Sequence, residues 1–244
     1  MLSLNIFFLA PLGLLPSLIW LLFYLRKDKH PESNNMVIKV FLAGGIAAFA
    51  AIFLEKAAQG VLQGLLANYW PVITSLAVIL IAAMIEETVK YSAAWFGAFR
   101  SQELDEPIDV MLYMIIAALG FAGLENILAL SKFYPAVYGS EALQLTFWRF
   151  CSATFLHALC SGALGYWLAM AFCRRSHRWL YLLIGLTMSI GLHGLYNWAI
   201  MKTTTETFGL EAMILPLLIL IGLGYLVGRW FKKLKKLKSV CLIK

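Results

Sequence analysis

The segment IEETVKY, Ile85–Tyr91, sets two carboxylates and an amine inside an apolar run. SLAVILIAAM precedes it and SAAWFGAF follows it. Three more ionisable side chains lie in comparably apolar surroundings: Glu125 in GFAGLEN, His157 in FLHALCSG and His193 in GLHGLYN. A charged group at the centre of a membrane helix costs ~2.5–3.5 kcal/mol on the insertion scale, so such groups mark function by default. Glu86 and Lys90 are four residues apart and share a helix face. Glu87 is turned from Glu86 by ~100°. Carboxylate plus histidine permits two hydrolytic chemistries. In one, a glutamate acts as general base on water while histidines stabilise the oxyanion. In the other, Glu125, His157 and His193 hold a divalent metal such as zinc, which activates the water. No H-E-x-x-H helix is present, and the residues leave both routes open, as well as a proton relay for transport.

The elements that must position these groups are membrane helices. The chain is 61% hydrophobic and only 14% charged over 244 residues. That excludes an ordinary soluble domain, in which roughly a quarter of residues are charged. Seven apolar segments are long enough to cross ~30 Å of hydrocarbon. They fall near Leu4–Leu25, Ile38–Leu54, Val72–Phe99, Ile108–Leu130, Phe147–Phe172, Trp179–Met201 and Met213–Val227. The expected fold is therefore all-α, a polytopic membrane protein of about seven transmembrane helices. It forms one domain over 1–244, with a four-helix core over about 72–201 and a basic tail over 229–244. At ~1.5 Å per residue, Glu86, Glu125, His157 and His193 all come within a turn or two of the midplane. The stretch EKAAQGVLQGLLANYWP, which begins at Glu55, reads as weakly amphipathic and interfacial.

Orientation follows from Lys and Arg. With the N-terminus outside and the C-terminus cytoplasmic, fifteen of the twenty basic residues lie inside and four outside, Lys90 being intramembrane. The tail RWFKKLKKLK suits anionic lipid headgroups, and no folded domain accompanies it to suggest nucleic acid. The four cysteines form no C-x-x-C pair, and a disulfide framework is not expected.

Taken singly, the residues have ordinary readings. Lys90 neutralises Glu86, a lone histidine packs through a hydrogen bond, and Cys160 is an inert buried thiol. The stripes Gly185–Ser189–His193–Asn197 and His157–Ser161–Gly165 read as helix packing. Two glutamate sites and two histidines at matched depth read instead as one functional site.

The same residues carry a resemblance. EETVK resembles the E-E-x-x-K motif of the PrsW intramembrane proteases. FAGLE, Phe121 to Glu125, resembles their F-x-x-x-E motif, with Asn126 following. HALCSG and HGLYN resemble their two histidine motifs, the second of the form H-x-x-x-N. The four occur in order on consecutive spans, from about Ile81 to Trp198. The wider superfamily includes CAAX prenyl endopeptidases and abortive-infection membrane proteins. The resemblance implies a membrane-embedded endopeptidase acting on a membrane-anchored protein, with an anti-sigma factor as the type substrate for a site-1-type cut. It makes Glu86 and Glu87 the catalytic pair and His193 essential, with Glu125 and His157 completing the pocket. Lys90, Phe121, Asn126 and Asn197 would support it, and the family includes no settled answer on metal.

Overall fold

The computed structural model describes residues 2–28, 30–65, 71–132, 140–205 and 213–237. These are almost wholly helical, with no strand among them. In chain order the helices are α1 (Leu2–Leu25), α2 (Asn34–Leu65), α3 (Pro71–Ala94), α4 (Pro107–Lys132), α5 (Ser140–Cys151), α6 (Ala153–Cys173), α7 (Arg178–Thr205) and α8 (Ile214–Leu234). A π turn over Trp95–Phe99 extends α3. Each of the seven expected segments finds a helix. Among the described residues, five rods are long and apolar enough to cross a membrane: α2, α4, α5 joined to α6, α7 and α8. Leu9–Leu25 of α1 is a shorter apolar helix, and α3 carries the Glu86, Glu87 and Lys90 charges.

α4 is the axis of the bundle. Between Asp109 and Glu125 its only polar side chain is Tyr113, so it is apolar all round. A helix of that kind is buried rather than laid on a surface. Every residue from Val110 to Ala122 is indeed buried, and α1, α2, α3, α6 and α8 all pack on α4. Its start is fixed locally. Pro107 opens the helix, where its missing N–H costs nothing. Asp109 accepts the backbone N–H groups of Glu106 at 2.6 Å and Asp105 at 3.1 Å. One turn on, the Tyr113 hydroxyl donates to Glu32 in the link between α1 and α2. Burial is the largest influence on the Glu32 carboxyl and holds its pKa above the ordinary value.

α2 crosses α4 at two glycines. A Cβ on Gly44 would stand 2.0 Å from the Ala117 carbonyl oxygen, and one on Gly120 would stand 1.9 Å from that of Phe41. Both contacts are to backbone, so neither can be relieved by a rotamer change. Only glycine lets the two axes come this close.

The structure departs from the sequence reading in three places. The Phe147–Phe172 segment is two helices, broken at Ser152, where φ is −122° and ψ −88°. The Ser152 hydroxyl donates to the Trp148 carbonyl at 2.6 Å, an oxygen that also accepts the Ser152 backbone N–H at 3.0 Å. Hydrophobicity runs through the break and hides it. α2 continues as one helix to Leu65, taking in Glu55 and the first part of the stretch assigned to the interface, of which residues 66–70 lie outside the described residues. Cys151 and Cys160 are free thiols, but Cys173 is disulfide-bonded, a bond that the cysteine spacing did not suggest.

The glycine crossing gives a direct test. Gly120→Ala should destabilise the protein by about 1–3 kcal/mol, the usual cost of forced overpacking. Gly60→Ala on the same helix pair, where a Cβ meets nothing within 4 Å, should not. Thermal unfolding in detergent compares the two, and equal midpoints would remove the close-packing argument.

Candidate active site

Four helices deliver the intramembrane polar groups to one point. α3 supplies Glu86, Glu87 and Lys90, and α4 supplies Phe121 and Glu125. α6 supplies His157 and Ser161, and α7 supplies Ser189 and His193. Lys90 is wholly buried. Its Nζ lies 3.0 Å from Glu86 Oε2, 2.9 Å from Glu87 Oε1 and 2.8 Å from His157 Nδ1. An ammonium has three protons, and each finds an acceptor. The Phe121 ring closes the remaining side, its centroid 4.3 Å from Nζ.

These bonds assign the histidine tautomers. His157 Nδ1 accepts from Lys90, so Nε2 carries the proton and donates to Glu125 Oε2 at 2.7 Å. His193 Nδ1 donates to Glu87 Oε1 at 2.9 Å, which leaves the Nε2 lone pair free. Glu86 Oε2 stands 3.7 Å from both His157 Nδ1 and His193 Nε2, too far for a hydrogen bond to either.

The two neighbouring glutamates therefore occupy different environments. Glu87 has no exposed surface. Besides Lys90 and His193, it accepts Ser161 Oγ at 3.0 Å and Ser189 Oγ at 2.9 Å. Ser189 Oγ also lies 2.9 Å from the Cys160 carbonyl, so one proton is shared between two acceptors. Both Glu87 oxygens are saturated. Glu86 has the Lys90 bond alone and retains some exposure.

The site opens on the side of Glu125, whose side chain is 32% exposed. Arg149 of α5 stands beside it, with Nη2 at 3.7 Å from Glu125 Oε2. Arg149 Nε donates to Asn126 Oδ1, and Asn126 Nδ2 donates to Thr154 Oγ1 at 3.0 Å. Asn126 thus ties α4 to the α5–α6 break. Asn197 lies one turn beyond His193, half-buried.

Could this set hold a metal? Glu86, His157 and His193 offer ligand atoms within 4.8 Å of one another. Ligands of tetrahedral zinc at ~2.0–2.1 Å are ~3.4 Å apart, close to the two 3.7 Å separations. Each histidine also gives its other nitrogen to a carboxylate, the usual support for a metal-bound imidazole. The donors fit a divalent cation, except that Lys90 shares His157 Nδ1. Cation binding and the Lys90–His157 bond exclude each other. The sequence grouped Glu125 with the histidines as ligands. In the structure Glu86 faces both histidines, while Glu125 holds the far nitrogen of His157.

Sequence reasoning missed Ser161, Ser189, Thr154 and Arg149. The two serines had a signal: each is four residues from a site histidine on the same face. Serine is so common in packed membrane helices that this spacing did not separate them from packing. Arg149 had none, because it lies across a break the sequence conceals.

An all-α polytopic membrane protein with a buried carboxylate, histidine and lysine centre is the class this fold and site define. The PrsW family of intramembrane metalloproteases matches residues 32–223, and the chain belongs to it. It is similar to the protease PrsW of Geobacillus kaustophilus, 28% identical over 89% of this chain and 84% of that one. Similar too are those of Shouchella clausii, 28% identical over 97% of both chains, and Bacillus subtilis, 24% identical over 93% and 94%. No solved structure matches the chain.

Lys90 supplies a stability test. Lys90→Met leaves two buried carboxylates without their cation and should cost about 3–5 kcal/mol, as breaking a buried pair from one side does. Adding Glu87→Gln should recover part of the loss. Unfolding midpoints in detergent measure both, and a Lys90→Met chain as stable as wild type would show that the ammonium holds nothing together.

Proposed function

We propose that the chain is an intramembrane endopeptidase that hydrolyses a peptide bond of a membrane-anchored protein, with Glu86 as the water-activating base. The observation that carries this is the asymmetry of the glutamate pair. Glu87 is saturated by Lys90, His193, Ser161 and Ser189, so it has no lone pair to offer a substrate. Glu86 has one partner and faces the free Nε2 of His193. Glu87 is then a positioning residue, fixing the His193 ring and its tautomer.

The reaction follows from that arrangement. A water between Glu86 and His193 gives its proton to Glu86 as its oxygen attacks the carbonyl carbon. The carbonyl π electrons move to oxygen, and in this reading the Asn197 amide donates to the resulting oxyanion. The intermediate collapses, the C–N bond breaks, and the proton on Glu86 passes to the leaving nitrogen. Glu125 orients His157 through Nε2 throughout. A divalent cation held by Glu86, His157 and His193 would polarise the carbonyl and make the water more acidic. Because a helical amide is already hydrogen-bonded, the substrate must enter as an unwound segment.

The placement of basic residues supports an N-terminus outside and a C-terminus in the cytoplasm. Glu125 then lies seven residues from the outer end of α4, ~10 Å along its axis. His157 is one turn from the start of α6. A site reached from the outer side suits a first cut in a single-pass protein of anti-sigma type. The basic tail would lie against anionic lipid headgroups.

The test compares membrane-protein N-termini in cells expressing wild type or Glu86→Gln at equal levels. New N-termini in or beside single-pass helices should appear with wild type and fall about 100-fold or more in the variant, a loss on the scale of general base catalysis. Identical N-termini would sink the protease reading and return weight to a proton relay or a scaffold. Metal content is read on purified protein. Wild type should retain one zinc that Glu86→Gln and His193→Ala lose, and Glu125→Gln should weaken retention about 10–100-fold. Cleavage that persists in chelator, with no bound metal, would leave Glu86 acting alone.

A further inference from the structure

α2 contributes a carboxylate that neither the motifs nor the mechanism uses. Glu55 lies on the apolar span Asn34–Leu65, ten residues before its end, and is half-buried. α2 and α3 form an antiparallel hairpin. Its register is set where Val40 meets Gly97, with Val40 Cγ2 only 3.1 Å from a Cβ placed on that glycine. Counting equally along both helices from this pair puts Glu55 about level with Ala82, one turn from Glu86. The electrostatic neighbours of Glu55 are Glu86, Glu125, Lys90 and His193, which are all members of the site. It makes no hydrogen bond or ion pair with any described residue, although Lys56 is its neighbour in sequence. Glu86, Glu87 and Lys90 satisfy one another, Glu125 has His157 and Arg149, and Glu55 has no partner among the described residues.

We propose that Glu55 is a specificity-determining residue, whose carboxylate receives a lysine or arginine side chain of the substrate close to the scissile bond. This rests on the protease reading. A further carboxylate within electrostatic reach of Glu86 and Glu125 raises the negative potential at the mouth, and the group that relieves it is a cation. The apolar surroundings strengthen such a pair, because the competing solvent is thin there. No group among the described residues supplies that cation to Glu55. A basic residue at the membrane end of a single-pass substrate would, and it would set which peptide bond reaches Glu86.

The test extends the N-terminus comparison to four chains at matched membrane levels: wild type, Glu86→Gln, Glu55→Gln and Glu55→Lys. Cuts that depend on wild type should carry Lys or Arg within a few residues of the new terminus above the background of membrane-protein helices. Glu55→Gln should still cut but lose that preference. Glu55→Lys should reduce cleavage at the basic sites about tenfold or more and gain sites flanked by Asp or Glu. If Glu55→Lys fails to accumulate, the Glu55→Gln profile decides. Wild-type cuts that keep the same flanking residues and the same yields in the Glu55 variants would overturn the inference while leaving the protease standing. Wild type indistinguishable from Glu86→Gln would overturn the protease reading, and this inference with it.

Discussion

A single ammonium, buried where lipid-facing helices close on one another, organises this protein. Lys90 has three protons, and Glu86, Glu87 and His157 take one each. The carboxylates offset the cost of burying the ammonium, and the ammonium offsets theirs. Because His157 spends Nδ1 on Lys90, its other nitrogen must face Glu125. Because Glu87 is shared between Lys90 and His193, the His193 ring is held with its free nitrogen toward Glu86. The chemistry of the site descends from one charge balance.

The frame that makes this balance possible is equally constrained. α4 is surrounded because it offers no polar face, and its glycine lets α2 approach to backbone contact. α3 then fits between α2 and α7 with its charged turn facing inward. A looser bundle would admit water to Lys90 and remove the reason for its partners to stay in place. Packing and electrostatics are therefore coupled: the tight apolar axis keeps the dielectric low, and the low dielectric keeps the ion cluster together.

Much of this was legible in the residues. Glu86, Glu87, Lys90, Glu125, His157 and His193 stood out because charge in an apolar run is costly, and helical rise put them at one level. Their division of labour was not legible. Spacing says that Glu86 and Glu87 point apart, but only the neighbours from α6 and α7 determine which one is saturated. Ser161 and Ser189 looked like packing residues because a small hydroxyl serves either purpose. Glu55 was read as the start of an interfacial stretch, since its span ends in glycines and small residues that weaken the apolar signal. The break at Ser152 left no trace in hydropathy, and with it went Arg149. Sequence reports the cost of placing a group, whereas the identity of its partner depends on which helices come together.

The chain order of these partners has a consequence for how the protein is made. Lys90 and the two glutamates are synthesised with α3, and Glu125 with α4. His157 and Ser161 come only with α6, and Ser189 and His193 only with α7. A nascent chain that has completed α4 thus holds Lys90 and the carboxylates of Glu86, Glu87 and Glu125 without the site imidazoles and serine hydroxyls that share them. Until α6 docks, Glu87 lacks three of its four donors, and until α7 docks it still lacks two. Assembly of the centre is therefore a late event in biogenesis. A chain interrupted before α7 would carry an unsatisfied ionic cluster, and in that an incomplete copy differs from a finished one.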